Sequence, residues 1–98
     1  MKNNISMKDF YEKYNNEELM ILDVRENHEY EAGHIPSAKN FPLSTLGIEF
    51  TRLDKNQKYY VICQAGGRSA KAYDFLETLG FDVTNIEGGM NNWPGETK

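Results

Sequence analysis

The stretch "YYVICQAGGRSAKAYDFLETLGF", residues 59–81, limits the chain's architecture more than any other. Tyr59 to Cys63 form a short uninterrupted run rich in aromatic and β-branched residues, the pattern of a strand buried on both faces. Ala72, Phe75, Leu76 and Leu79 then recur at helical spacing, which predicts a helix with these four on its buried stripe and Gly80 just past its end. Only "QAGG" joins strand to helix.

The rest of the chain repeats this alternation. Ser6 with Asp9 three residues on reads as a capping-box start, and Phe10 and Tyr14 share a face of the helix that follows. "LMILDV", 19–24, reads as a mostly buried strand, and "RENHEYEAGHIPSA" as a loop with one helical turn at Glu26–Glu31. "AKNF" is a second short strand, "PLSTLGIEF" a short helix, "DVTNIEGG" the last strand, and "MNNW" one turn before Pro94. Helices interleaved with buried-type strands predict an α/β domain, a central mainly parallel sheet with helices on both faces. No repeat or linker interrupts residues 1–98, so one domain is expected.

Composition narrows the classes of function. The chain carries 15 acidic and 11 basic residues, a net charge of −4, with no basic block of the kind that binds nucleic acid. No apolar run is long enough for a bilayer, and "MKNNISMKDF" has no secretory apolar stretch. One cysteine allows no internal disulfide, in keeping with a reducing cytoplasm. His28 and His34 have no cysteine near them in sequence, so no metal site is expected. The glycines fit neither G-K-S/T nor G-x-G-x-x-G, which argues against a nucleotide loop.

Cys63 therefore carries the chemical interest. It ends the predicted central strand, four to five residues before a helix. N–H groups of the turn, with the unpaired donors of the helix start, can form an anion-binding nest. Gly66 and Gly67 permit φ > 0 and leave no Cβ over the pocket, and Arg68 adds positive charge. Such surroundings favour thiolate over thiol. A plain reading stands beside this one: a lone cysteine at a strand end is commonly a small buried hydrophobe, and two glycines commonly mark a turn.

Three ordered motifs resemble the rhodanese family of thiosulfate and persulfide sulfurtransferases. "LDVRENHEYEAGHIPSAKNFP", 22–42, is similar to D-x-R-x-x-x-E-[FY]-x-x-G-H-I-x-G-A-x-N-x-P. "CQAGGRS", 63–69, is similar to C-x-x-G-x-R-S, and "GFDVTNIEGGMNNW", 80–93, to the family's closing segment. The resemblance implies a rhodanese-like fold and a Cys63 nucleophile that becomes a persulfide. It also implies a catalytic role for Arg68 and a substrate cradle of Gln64, Ala65, Gly66, Gly67 and Ser69. Asp23, Arg25, Glu26, His34 and Trp93 match supporting positions, with Gly88 and Gly89 beside Trp93 in the segment that packs near the entrance. Arg25 and Glu26 also fit an ordinary solvated pair.

The implied reaction is ping-pong transfer of a sulfane sulfur from thiosulfate or a persulfide to cyanide in vitro or a thiol in the cell. Without a second cysteine the acceptor must come from outside, as a small thiol or a protein cysteine. Neither cofactor, nucleic acid nor membrane is implied. The sequence departs from the family in two places. Gln64 stands where arginine or lysine is frequent, which weakens attraction for thiosulfate, and Ser37 stands where glycine is common. A cysteine phosphatase or arsenate reductase would require its loop arginine at position 69, where Ser69 stands, and non-catalytic rhodanese-like modules have often lost the cysteine retained here.

Overall fold

In the computed structural model, which describes residues 2–98, a five-stranded sheet runs through the molecule. Its strands are β1 (Asn4–Ile5), β2 (Met20–Asp23), β3 (Lys39–Asn40), β4 (Lys58–Ile62) and β5 (Asp82–Ile86), in the order β1-β5-β4-β2-β3. All pairings among the described residues are parallel. The helices are α1 (Met7–Asn16), α2 (Asn27–Ala32), α3 (Leu43–Glu49) and α4 (Gly67–Thr78), with short 3-10 turns at Phe50–Arg52 and Gly89–Asn92. This is the α/β architecture expected, with helices on both faces.

The central strand shows why. Tyr59, Val61 and Cys63 join Leu22, Val24, Leu46, Ala72, Tyr73, Leu76 and Val83 under α3 and α4. Tyr60 and Ile62 point the other way, to Phe10 of α1, Ile21, Ile35, Ala38 and Ile86. Burial on both faces produces the continuous apolar run, and each large side chain so enclosed contributes about 1.5–3 kcal/mol.

Local chemistry sets the ends of the elements. Ser6 Oγ accepts the Asp9 N–H at 3.1 Å, capping α1 as expected. The reciprocal capping box forms instead on α2, between Glu26 and Glu29. Gly80 and Phe81 donate to the Glu77 and Leu76 carbonyls at 3.0 Å each, closing α4 with a Schellman motif.

Several boundaries differ from the sequence reading. β4 ends at Ile62, so Cys63 is the first residue past the strand. β1, two residues long against the edge of β5, carries no periodic signal and was not expected. Phe75 is not on the buried stripe. Ser69, Ala72, Tyr73 and Leu76 fill the space under α4, leaving Phe75 at its flank, exposed and edge-on to Phe50.

The topology also locates a site. From β2 the chain moves outward to β3, and from β4 it moves the opposite way to β5, so the order reverses between these two adjacent strands. Crevices form beyond the carboxyl ends of strands at such a reversal. The Val24 N–H donates to the Ile62 carbonyl at 2.9 Å, which brings the residues after β2 alongside those after β4.

Candidate active site

Cys63 lies at this reversal, 1% exposed, with its sulfur turned toward the loop that opens α4. The Gly66 N–H donates to Sγ at 3.0 Å. The Ser69 hydroxyl lies 3.4 Å from Sγ and 3.1 Å from the Gly66 carbonyl oxygen. Burial pushes the thiol up. The Ser69 hydroxyl and the N–H groups of Ser69, Gly66 and Ala65 pull it down and prevail, holding Cys63 below the ordinary thiol value.

The turn depends on one glycine more than on two. Gly66 sits at φ 112°, where a side chain is strained. Gly67 is the first helical residue of α4, with ordinary backbone, so of the two glycines that permit φ > 0 only Gly66 uses that freedom. An unforeseen turn supports the loop from below. The Met90 and Asn91 N–H groups donate to the carbonyls of Cys63 (2.8 Å) and Gln64 (3.0 Å). Gly89 makes this approach possible, because a Cβ there would overlap the Cys63 carbonyl oxygen.

The arginines are engaged by carboxylates. Arg25 is not a solvated partner of Glu26. It is buried, and its Nε and Nη2 donate to the Asp23 carboxylate, Nη2 at 2.8 Å, while Nη2 also donates to the Gly33 carbonyl at 2.8 Å. Its Nη1 reaches the Gln64 carboxamide oxygen at 3.2 Å, and Gln64 Nε2 in turn donates to Asn91 at 2.7 Å. A chain Asp23–Arg25–Gln64–Asn91 thus spans the three segments that meet here. Arg68 makes a two-point ion pair with Glu29 of α2, Nη2 to Oε2 at 2.8 Å. Hydrogen bonds from Arg68 are the main reason the Glu29 carboxyl falls to about 2. Glu26 caps α2 and accepts from Ser44 at 2.6 Å.

The structure thus brings Cys63, Gln64, Ala65, Gly66 and Ser69 together, with Asp23 and Arg25 behind Gln64. Two positions make their contacts elsewhere. His34 stacks on Tyr30, its Nδ1 2.8 Å from the Tyr30 carbonyl. Trp93 packs on Phe10, Tyr11 and Tyr14 around α1. Glu29 and Asn91 were not singled out from sequence. Glu29 left a usable signal, three residues after the cap residue Glu26, whereas nothing local marks Asn91. A cavity of about 160 Å³ between Met20, Phe41, Leu53 and Tyr59 lies toward the opposite, amino ends of β2 and β4, away from Cys63. Among the described residues no three His, Cys, Asp or Glu side chains converge as metal ligands, and no helix is long and apolar enough to cross a membrane.

Known proteins resemble this chain in sequence and in fold. The sequence model of the Rhodanese-like domain matches residues 6–96. The candidate sulfurtransferase YtwF of Bacillus subtilis is 42% identical over 82 residues, 84% of this chain and 80% of that protein. The candidate sulfur carrier YrkF of the same organism is 40% identical over 96% of this chain, which spans about half (52%) of YrkF. A rhodanese-related protein from Thermoplasma volcanium superposes with a TM-score of 0.90 at 35% identity, covering 98% of this chain and 97% of that one. With its family motifs, its parallel sheet and its cysteine loop at the β2–β4 reversal, the chain belongs to the rhodanese-like domain family.

Proposed function

We propose that the chain is a sulfurtransferase in which Cys63 accepts a sulfane sulfur from thiosulfate or a persulfide and passes it to a thiol. One observation carries this reading: the Cys63 sulfur meets the Gly66 N–H at 3.0 Å and the Ser69 hydroxyl at 3.4 Å within a loop that closes at Arg68. These donors lower the thiol and are poised to hold the terminal sulfur of a persulfide in turn.

The thiolate attacks the outer sulfur of the donor. A new S–S bond forms, the donor's bond to that sulfur breaks, and its electron pair leaves on sulfite or on a thiolate. The Ser69 hydroxyl serves both protonation states. While Cys63 is a thiol, its S–H donates to Ser69 Oγ and that hydroxyl donates to the Gly66 carbonyl. Once the proton has left, the hydroxyl can turn its own onto sulfur. Asp23, Arg25, Gln64 and Asn91 fix the loop, and Glu29 fixes Arg68. The acceptor is a small thiol or another protein's cysteine. A free thiol that must stay reduced suits the cytoplasm.

Reduced protein incubated with a donor and freed of excess should gain about 32 Da, one sulfur atom of the ping-pong intermediate. Cyanide should remove the increment as thiocyanate, and Cys63→Ser should never acquire it. Hydrolysis of an aryl phosphate dependent on Cys63, with no sulfur loaded from thiosulfate or glutathione persulfide, would replace this reading with a phosphatase.

A further inference from the structure

Resting on that reading, we propose that the Cys63 cradle selects sulfur donors of low charge, organic persulfides or thiosulfonates, over dianionic thiosulfate. Neutral Gln64 and the paired charges Asp23–Arg25 and Glu29–Arg68 set the preference.

Attack of a thiolate on thiosulfate brings three negative charges together, and unmatched cations would be needed to offset them. The two arginines described around the loop are both matched. Arg25 is held by the Asp23 carboxylate, with side-chain exposures of 5% and 0%, so the buried pair presents no net charge. Arg68 is held at two points by Glu29. The residue after Cys63 is a neutral carboxamide tied between Arg25 and Asn91.

Dipoles make the direct contacts. The groups that hydrogen-bond Cys63 and lower it are neutral, namely the Ser69 hydroxyl and the N–H groups of Ser69, Gly66 and Ala65. Arg68 also feels the Cys63 charge, but its stronger interaction is with Glu29, which balances it. The start of α4 adds the equivalent of about half a positive charge. Such a set suits one negative charge, on the thiolate or on the terminal sulfur of a persulfide. The whole chain, at −4, adds no attraction for a dianion.

The shape of the rim agrees. Residues 65–67 are Ala-Gly-Gly, and a Cβ built on Gly67 meets nothing within 4 Å. At Gly67, therefore, no side chain crowds an organic substituent on the donor's leaving sulfur.

Thiosulfate and methanethiosulfonate make a matched pair for the test. They share the sulfonyl–sulfane bond and differ by one charge. Attack on either yields the Cys63 persulfide, the bonding pair leaving as sulfite from one and as methanesulfinate from the other. Sulfur loading is followed by intact mass, and each rate is divided by that of 2-mercaptoethanol with the same donor, which removes the difference in leaving group. The normalised rate should favour methanethiosulfonate by about tenfold, and added salt should narrow the gap. Glu29→Gln keeps an acceptor for Arg68 but removes its counter-charge, and should raise the thiosulfate-to-thiosulfonate ratio about fivefold. Equal or faster normalised loading from thiosulfate, or a ratio that Glu29→Gln does not move, would overturn the preference while sulfur loading itself still stood. Loading from neither donor, nor from glutathione persulfide, would remove the sulfurtransferase reading and this inference with it.

Discussion

Ser69 places its hydroxyl 3.4 Å from the Cys63 sulfur, from the first turn of the helix that the cysteine loop opens. A buried thiol in an apolar strand end would resist ionisation. Here the hydroxyl and three N–H groups reverse that tendency, so Cys63 lies below the ordinary thiol value. Ser69→Ala removes the side-chain donor and leaves burial opposed by backbone alone. The apparent pKa from the pH dependence of iodoacetamide alkylation should rise, and the rate at pH 7 should fall about tenfold, as expected for losing a hydrogen bond to a charged group. An unchanged pH profile would show that the backbone nest suffices.

Asp23 and Arg25 make a second, purely structural prediction. Both are buried, and Arg25 also ties Gly33 and Gln64 to the end of β2. Asp23→Asn leaves a guanidinium enclosed without its counter-charge and should cost about 3–5 kcal/mol in urea unfolding. Adding Arg25→Gln removes the orphaned charge, so the double variant should lose less than the two single losses summed. Simple additivity would mean that the pair is not coupled as the geometry indicates.

These contacts show where sequence reasoning reaches its limit. The Tyr59–Ile62 strand and the helix after it were legible because each obeys a local period. The Cys63 loop was legible because glycines and a lone thiol stand out between them. The ion pairs were not. Arg68 and Glu29 are 39 residues apart, and only the placing of α2 beside the start of α4 brings them together. Phe75 misled because helical spacing gives the width of a stripe and not its centre, which Ala72 and Leu76 occupy. β1 is too short to show any period at all.

The Arg68–Glu29 pair also predicts a pH dependence. The Glu29 carboxyl is lowered to about 2, chiefly by the hydrogen bonds from Arg68. A group lowered on folding stabilises the native state above its unfolded value of about 4.3 and loses that effect as pH falls toward about 2. With side chains 25% and 35% exposed, solvent screening limits the contribution to about 1 kcal/mol or less. Urea midpoints should show Glu29→Gln less stable than the parent at pH 7, with the difference shrinking by pH 3. A constant difference across that window would assign the effect to the α2 cap instead.

Gly89 and Gly67 give opposite outcomes for the same substitution. Gly89 stands at φ 59°, where alanine is strained, and its Cβ would overlap the Cys63 carbonyl oxygen. That oxygen cannot yield freely, because the Met90 N–H holds it at 2.8 Å and the Asn91 N–H holds Gln64 beside it at 3.0 Å. Gly89→Ala should therefore cost about 2–4 kcal/mol. It should also slow Cys63 alkylation, since the loop that carries the sulfur donors must shift. Gly67, in ordinary helical backbone with open space around it, has no such constraint. Gly67→Ala should raise stability by about 0.4–1 kcal/mol, chiefly by restricting the unfolded chain. Urea unfolding and alkylation of the two variants, side by side, separate a glycine required by packing from one that only stands at a helix start. A Gly89→Ala protein with the parent midpoint and alkylation rate would show that the 89–92 turn does not hold the loop.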